Sequence, residues 1–360
     1  QINNDVPFRD NNFYKQKEKN ETIEQIKKNK FSIIPPKSNF GLVPEKFSDV
    51  LYDSNLYGGL TTFWGGVLGT FNSNDLRDWP LKFEDLKPFY AFISDLIPMT
   101  QPSRDIFDKD LENFSFKREI KTTQMIEDLK NIINDNKIIN NYSLSAGLPI
   151  LAISNGDLKH FNCSYPGVCS KDCKNHSTFK SFEYFNKLIE KNNNIKYYNK
   201  PVTKFSDEDT KLQFLDGDEF CFDKIFLCAG SVNTSKILIN SFEINEGLSI
   251  TDNGLMQFPL FNFNSESEDN GYNNFIATNL IINSINTNTL AKNQWQVNQC
   301  FQYIFDYHIP SYLPLIKKKI AKLCQDRVLI MRGYTDHLEN NIYNINKQKS
   351  GQFELNEVNI

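Results

Sequence analysis

Five glycines fall within the twelve positions from Gly58 to Gly69, in the stretch LYGGLTTFWGGVLGTF. They alternate with Thr61, Thr62, Phe63 and Trp64, and no residue there carries a charge. Glycine permits positive φ and lets a main chain come close to a ligand. Two glycine pairs around two hydroxyls and two large rings suit a flat, partly apolar heterocycle with polar edges, held by backbone amides. As a plain surface loop, the same stretch would leave Phe63 and Trp64 in water. A second corner lies in DKIFLCAGSVNTSKILINS. There a buried strand at 225–228 is expected to turn through Ala229, Gly230 and Ser231 into a helix at 232–240. Free N–H groups and the dipole at such a helix start favour an anionic or polar ligand. An ordinary strand-to-helix turn of an α/β domain would have the same composition.

The elements that must position these corners are legible from periodicity. Phe83, Leu86, Phe89, Tyr90, Ile93 and Leu96 recur at three-and-four spacing and predict a helix near 82–97, with Pro88 as a potential break. Met125, Ile126, Leu129, Ile132 and Ile133 predict a second helix within 122–139, and Phe179, Phe182, Phe185, Leu188 and Ile189 a third within 177–194. The period then becomes two, predicting short strands at 195–199, 202–206, 211–215 and 219–222 with turns at 207–209 and 216–218. Beyond 250 the pattern is strand-like and rich in Asn, with a basic amphipathic helix at 312–324 and a strand at 327–334. Residues 15–30 are highly charged, with Ile23 and Ile26 three apart, and read as a solvent-facing helix or linker ended by Pro35 and Pro36.

The chain has 360 residues, enough for two or three structural units. Forty basic and 44 acidic residues give a net charge of −4, which argues against a nucleic-acid binder. Aromatic residues make up 13% and can fill a real core. No apolar run is long enough for a membrane-spanning helix, and no secretory signal is visible. The opening QINNDVPFRD lacks Met, so the chain is expected to begin inside a longer reading frame. Seven cysteines, an odd number, do not make a disulfide scaffold, and the default location is a reducing cytoplasm. Cys163, Cys169, Cys173 and His176 are spaced like metal ligands; zinc, an iron–sulfur cluster and plain packing are the alternatives. His160, His308 and His337 read as surface or structural residues. Tyr272, Trp295, Gln299, Tyr303 and Tyr307 are candidates to line a sugar-binding sheet, against the alternative of core packing.

The glycine-rich run, together with the DLRDWPLKFEDLKPFY that follows it, resembles the flavin-contacting segment of the glucose–methanol–choline oxidoreductases. It is most similar to the branch of pyranose oxidase and the oxidoreductases of bacterial surface-polysaccharide gene clusters. In that branch a GG(S/M/L)(S/T)xxW run precedes such a segment. DKIFLCAGSVNTSKILINS resembles the family's strand–turn–helix that lies against FAD, and KPVTKFS its adenine-side strand. The resemblance implies that Gly58, Gly59, Thr61, Thr62, Trp64, Gly65 and Gly66 sit by the isoalloxazine. It places Val202, Ala229, Gly230, Asn233 and Thr234 along the adenine and pyrophosphate. Phe63 stands where pyranose oxidase has the His that tethers FAD, so the FAD is expected to be non-covalent.

The implied architecture is α/β with two lobes. An FAD-binding lobe with an incomplete parallel sheet would come from 40–80 and 180–250. A mixed or antiparallel substrate lobe would come from 81–179 and 251–345, with 1–39 a charged N-terminal segment. The implied activity is oxidation of a CH–OH group of a sugar or other alcohol by hydride transfer to flavin N5, with a place in cell-surface polysaccharide metabolism. The electron acceptor is not indicated. No GxGxxG motif occurs in the chain, and no His lies in a motif like that of the family's catalytic base. The chain therefore reads as a central fragment, expected to bind FAD poorly and to be inert by itself. The alternatives are a non-catalytic flavoprotein fragment or interaction domain without FAD, and a small zinc-stabilised module around the Cys run.

Overall fold

The structure is a computed structural model. It describes residues 57–153, 177–262, 277–299, 319–320, 324, 327–335 and 341–358, except 63, 72, 74, 78, 104–105, 107–110, 112–113, 119–121 and 209. The fold is mixed α/β, and its sheets are mostly antiparallel. The chain divides into two compact units. Unit 1 takes the chain through Leu60, then Phe182–Asp252, then Asn340 onward; unit 2 takes Thr61–Ser181 and Asn253–Glu339. The glycine-rich loop is thus shared between them.

In chain order the first strands are β1 (Val67–Leu68), β2 (Met99–Thr100), β3 (Phe116–Arg118), β4 (Ile138–Ile139), β5 (Tyr142–Gly147) and β6 (Ile150–Leu151). Next come β7 (Val202–Ser206), β8 (Lys211–Phe214), β9 (Glu219–Cys221), β10 (Leu248–Asp252) and β11 (Leu255–Phe261). The last are β12 (Leu280–Asn286), β13 (Lys292–Gln299), β14 (Val328–Tyr334), β15 (Asn341–Lys347) and β16 (Phe353–Val358). The helices are α1 (Phe83–Leu96), α2 (Gln124–Asp135), α3 (Ser181–Lys191) and α4 (Gly230–Phe242).

Unit 2 is built on a six-stranded antiparallel sheet in the order β11-β14-β13-β12-β5-β4. Side chains alternate across a pleat. Leu280 opposes Val297, which opposes Met331, while Ile282 sits between Ala146 and Trp295. These residues share one face. The apolar stripe of α2 covers it: Met125, Ile126, Leu129 and Ile133 pack with Ala146, Leu280, Ile282, Val297 and Leu329. The cap residue Thr123 does not close its own helix; its Oγ1 accepts a hydrogen bond from Gln299 Nε2 at 2.9 Å, pinning the start of α2 to β13. Helix α1 runs unbroken through Pro88. Proline removes the hydrogen bond to the carbonyl of Glu84, and Glu84 is exposed, so water can replace it.

Unit 1 holds two three-stranded antiparallel sheets, β7-β8-β9 and β10-β15-β16. Helix α4 lays Val232 and Ile239 on Ile250, Tyr343, Ile345 and Leu355 of the second sheet. It is also tied to β7, where Asn240 Nδ2 donates to the Thr203 carbonyl at 3.0 Å and the Phe205 N–H donates to Ser241 Oγ at 2.9 Å.

Two expected strands are absent. Residues 225–228 form no ladder, and Phe226 is 84% exposed. A buried strand needs neighbours on both edges and cover on both faces; no strand among the described residues pairs with it. The expected parallel sheet is likewise not formed among the described residues of unit 1, where every pairing is antiparallel. Residues 195–199 also stay outside a ladder; within them Tyr198 packs its ring against Phe220 at 5.2 Å and Phe214 at 6.3 Å. The basic helix expected at 312–324 is described only at 319–320 and 324, which are helical. The segment 1–39 lies outside the described residues.

Ile126 is fully buried, whereas Ile132 on the same helix is 58% exposed. Ile126→Ala is expected to destabilise the protein by about 2–5 kcal/mol and Ile132→Ala by under about 0.5 kcal/mol, read by chemical denaturation. Burial alone would push the Glu127 carboxyl up, but bonds from Lys130 and Thr122, the latter at 2.7 Å, hold it below its usual range. A lowered folded pKa stabilises above the ordinary value and is lost as pH falls. The melting temperature should therefore drop as pH falls below about 4.3, and drop less steeply in Glu127→Gln.

Candidate functional site: the glycine loop and the start of helix α4

The loop from Tyr57 to Gly66 is stitched at both ends. On the unit 1 side Tyr57 stacks at 4.6 Å on Tyr197 and at 6.5 Å on Phe182. Burial, with the neighbouring Tyr197, raises the Tyr57 phenol, which keeps it protonated; its buried oxygen meets no partner among the described residues. Gly58 has φ +98°, and a Cβ there would come within 3.0 Å of Phe182 Cβ. Conformation and crowding both require glycine.

On the unit 2 side a single 3-10 turn, Gly59–Thr62, leads in. Thr61 Oγ1 lies 2.7 Å from Ser181 Oγ and accepts the Ser181 N–H at 3.1 Å, so this hydroxyl closes the first residue of α3. Trp64 Nε1 donates to the Phe179 carbonyl at 2.7 Å. Gly66, at φ +76°, accepts the Ala152 N–H at 2.7 Å, and a Cβ there would meet Thr178 Cγ2 at 3.3 Å. From Gly66 the chain enters β1, which pairs with β6. Gly59 and Gly65 differ: a Cβ at either meets nothing within 4 Å. The loop therefore combines two glycines demanded by packing with two that leave their backbone open.

The second corner lies in unit 1. Val202 begins β7 and is half-buried opposite Phe214. Ala229 precedes α4 with φ −89° and ψ 8° and gives it no side-chain cap. Gly230 follows at φ +79°, and a Cβ on it would meet nothing. The first turn of α4 holds no acidic residue. Its N–H groups and the positive end of its dipole therefore lack a side-chain acceptor from Ala229 and a neutralising carboxylate. Asn233 is turned inward, 6% exposed, while Thr234 is half-buried.

The site residues read from sequence are thus divided by unit. Gly58, Gly59, Val202, Ala229, Gly230, Asn233 and Thr234 belong to unit 1, and Thr61, Thr62, Trp64, Gly65 and Gly66 to unit 2. Phe63, Cys163, Cys169, Cys173, His160, His176, His308, His337, Tyr272, Tyr303 and Tyr307 lie outside the described residues. Among the described residues no group of His, Cys, Asp and Glu could hold a metal ion, and no helix is long and apolar enough to cross a membrane. Trp295 and Gln299 do not line a ligand face. Both point to the α2 side of the sheet, where Trp295 packs in the apolar cluster and Gln299, 2% exposed, holds Thr123. Sequence reading missed the opposite, amide-rich face of that sheet. Its signal was the alternation of Gln294, Gln296 and Asn298 within β13. Compared with known proteins, the chain matches no family model and no curated protein.

Gly66→Ala is expected to destabilise the protein by about 1 kcal/mol or more through strain at positive φ and contact with Thr178. Gly65→Ala should stay within about 0.5 kcal/mol. Paired thermal melts distinguish the two.

Proposed function

We propose that this chain is the core of a flavoprotein that oxidises a CH–OH group of a sugar or other alcohol. The observation that carries the reading is the start of α4. A 13-residue helix opens on a glycine at φ +79° with no side-chain cap, no acidic residue in its first turn and free space beside its Cα. A dinucleotide diphosphate is the group that such an end accommodates. The residues fit it: Gly230 leaves open space beside its main chain, Thr234 offers a hydroxyl one turn on, and Asn233 is turned inward. Val202 gives an apolar edge suited to adenine. Gly58 and Gly59, and beyond them Thr61, Thr62, Trp64, Gly65 and Gly66, carry the resemblance to a flavin-ring segment.

FAD, when bound, supplies a two-electron acceptor for the alcohol carbon. This chain's own residues supply binding and orientation. The open backbone at Gly59 and Gly65 lets a planar ring approach main-chain amides, while Thr61 and Trp64 are committed to fixing the loop. A tether through position 63 is not expected, because Phe63 has no nucleophilic atom. A two-lobed FAD-binding fold is the finer architecture that goes with this reading, and surface-polysaccharide metabolism its setting.

The test is retention of flavin by the protein that carries this chain, read as yellow colour and flavin absorbance after gel filtration. Gly230→Asp places a carboxylate at the helix start and is expected to weaken FAD binding about tenfold or more. A protein that neither carries nor takes up FAD rejects the reading.

A further inference from the structure

The face of the six-stranded sheet opposite α2 sets a cluster of amides and one guanidinium beside the buried aliphatic side chains of Ile281, Val328 and Ile330, and its register is fixed. Ser145 opposes Asn283, Asn283 opposes Gln294, and Gln294 opposes Tyr334. In the next row Ile281 opposes Gln296, Gln296 opposes Arg332, and Arg332 opposes Gln257. Asn283 is only 7% exposed, and its Oδ1 meets no donor among the described residues. Gln296 Oε1 accepts the Thr278 hydroxyl at 3.1 Å, which leaves its amide N–H groups to donate outward. Asn and Gln side chains each donate and accept, which is what adjacent hydroxyls require.

The charge on this face is one-sided. None of the described strand residues on it is Asp or Glu. Lys292, at its far end, is neutralised by both oxygens of Asp75 at 3.0 Å. Arg332 is different. Its Nε donates to Gln257 Oε1 at 2.9 Å, which orients the guanidinium, and no carboxylate pairs with it among the described residues. An oriented guanidinium with both terminal nitrogens available is built for a two-point contact with an oxyanion. Arg332 and Asn283 lie two strands and one side-chain step apart, about 12 Å.

We propose that this polar face binds a hydroxylated anion of the sugar-acid or sugar-phosphate class. Arg332 takes the anionic group, and Gln296, Gln294 and Asn283 take successive hydroxyls. The inference concerns unit 2 alone and goes beyond the flavin reading; it stands whether or not FAD binds.

The test is calorimetric titration of the 360-residue chain with glucuronate, glucose 6-phosphate and glucose. At least one of the two anions should bind saturably, about tenfold or more tighter than glucose, and weaken with salt. Whichever anion binds more tightly identifies carboxylate or phosphate as the natural group. Arg332→Met should abolish the preference over glucose, and Gln294→Ala should weaken acidic and neutral sugars alike. If Arg332→Met melts early, Arg332→Lys decides: it keeps the charge but loses the planar fork, and should weaken anion binding several-fold with glucose unchanged. Equal binding of all three sugars, binding of none, or an anion preference intact in both variants overturns the proposal. Flavin colour reports separately, so failure here and failure of the flavin reading are distinguishable.

Discussion

The alternation of side chains across the six-stranded sheet is the constraint on which unit 2 depends. Once Leu280, Ile282 and Val297 are committed to the helix α2, the pleat gives Ile281, Asn283, Gln294 and Gln296 no choice but the other face. A one-residue slip would bury the amides under α2 and expose the aliphatic side chains. Two features lock the register. Trp295 lies over Gly333, where any side chain would collide with its ring, and Gln299 reaches Thr123 at the start of α2. The polar face is therefore a direct product of the hydrophobic one. Its chemistry cannot be altered by sliding a strand, only by changing individual residues.

Unit 1 follows a different logic. Helix α4 is held along its length: Val232 and Ile239 in the core, Asn240 and Ser241 on β7. Ser235 and Ser241 spend their hydroxyls on the helix's own carbonyls of Ser231 and Ile237. The first turn adds Val232 to the same core, while Gly230 and Ser231 at its outer side stay exposed and leave its polarity intact. The extended segment that feeds it, with Phe226 in water, also takes no part in the antiparallel sheets.

Much of the local structure was written in the chain, and the non-local part was not. Helices α1, α2 and α3 follow directly from three-and-four spacing, since a helix is satisfied by its own hydrogen bonds. Strands β7, β8 and β9 were equally clear, because each meets its neighbour through a short turn. Residues 225–228 and 195–199 have the same apolar character but no ladder; strand formation depends on a partner that composition does not specify. Trp295 and Gln299 were picked for their residue type, yet register, which they cannot reveal alone, turned them toward α2. The amide row was visible as an alternation but gained meaning only when the pairing of β12, β13 and β14 aligned it with Arg332. Within the glycine loop, the sequence shows five equivalent letters, whereas packing separates Gly58 and Gly66 from Gly59 and Gly65.

That separation changes how variation among related chains should be interpreted. Glycine kept at 58 and 66 would be maintained by the scaffold even in a descendant that had lost its chemistry, so persistence there is uninformative. Position 59 has room for a side chain but keeps a left-handed backbone at φ +55°, whereas position 65 is free to drift on folding grounds. Selection that nonetheless holds position 65 to glycine would have to come from something outside the polypeptide, which makes it a natural recorder of ligand use over evolutionary time.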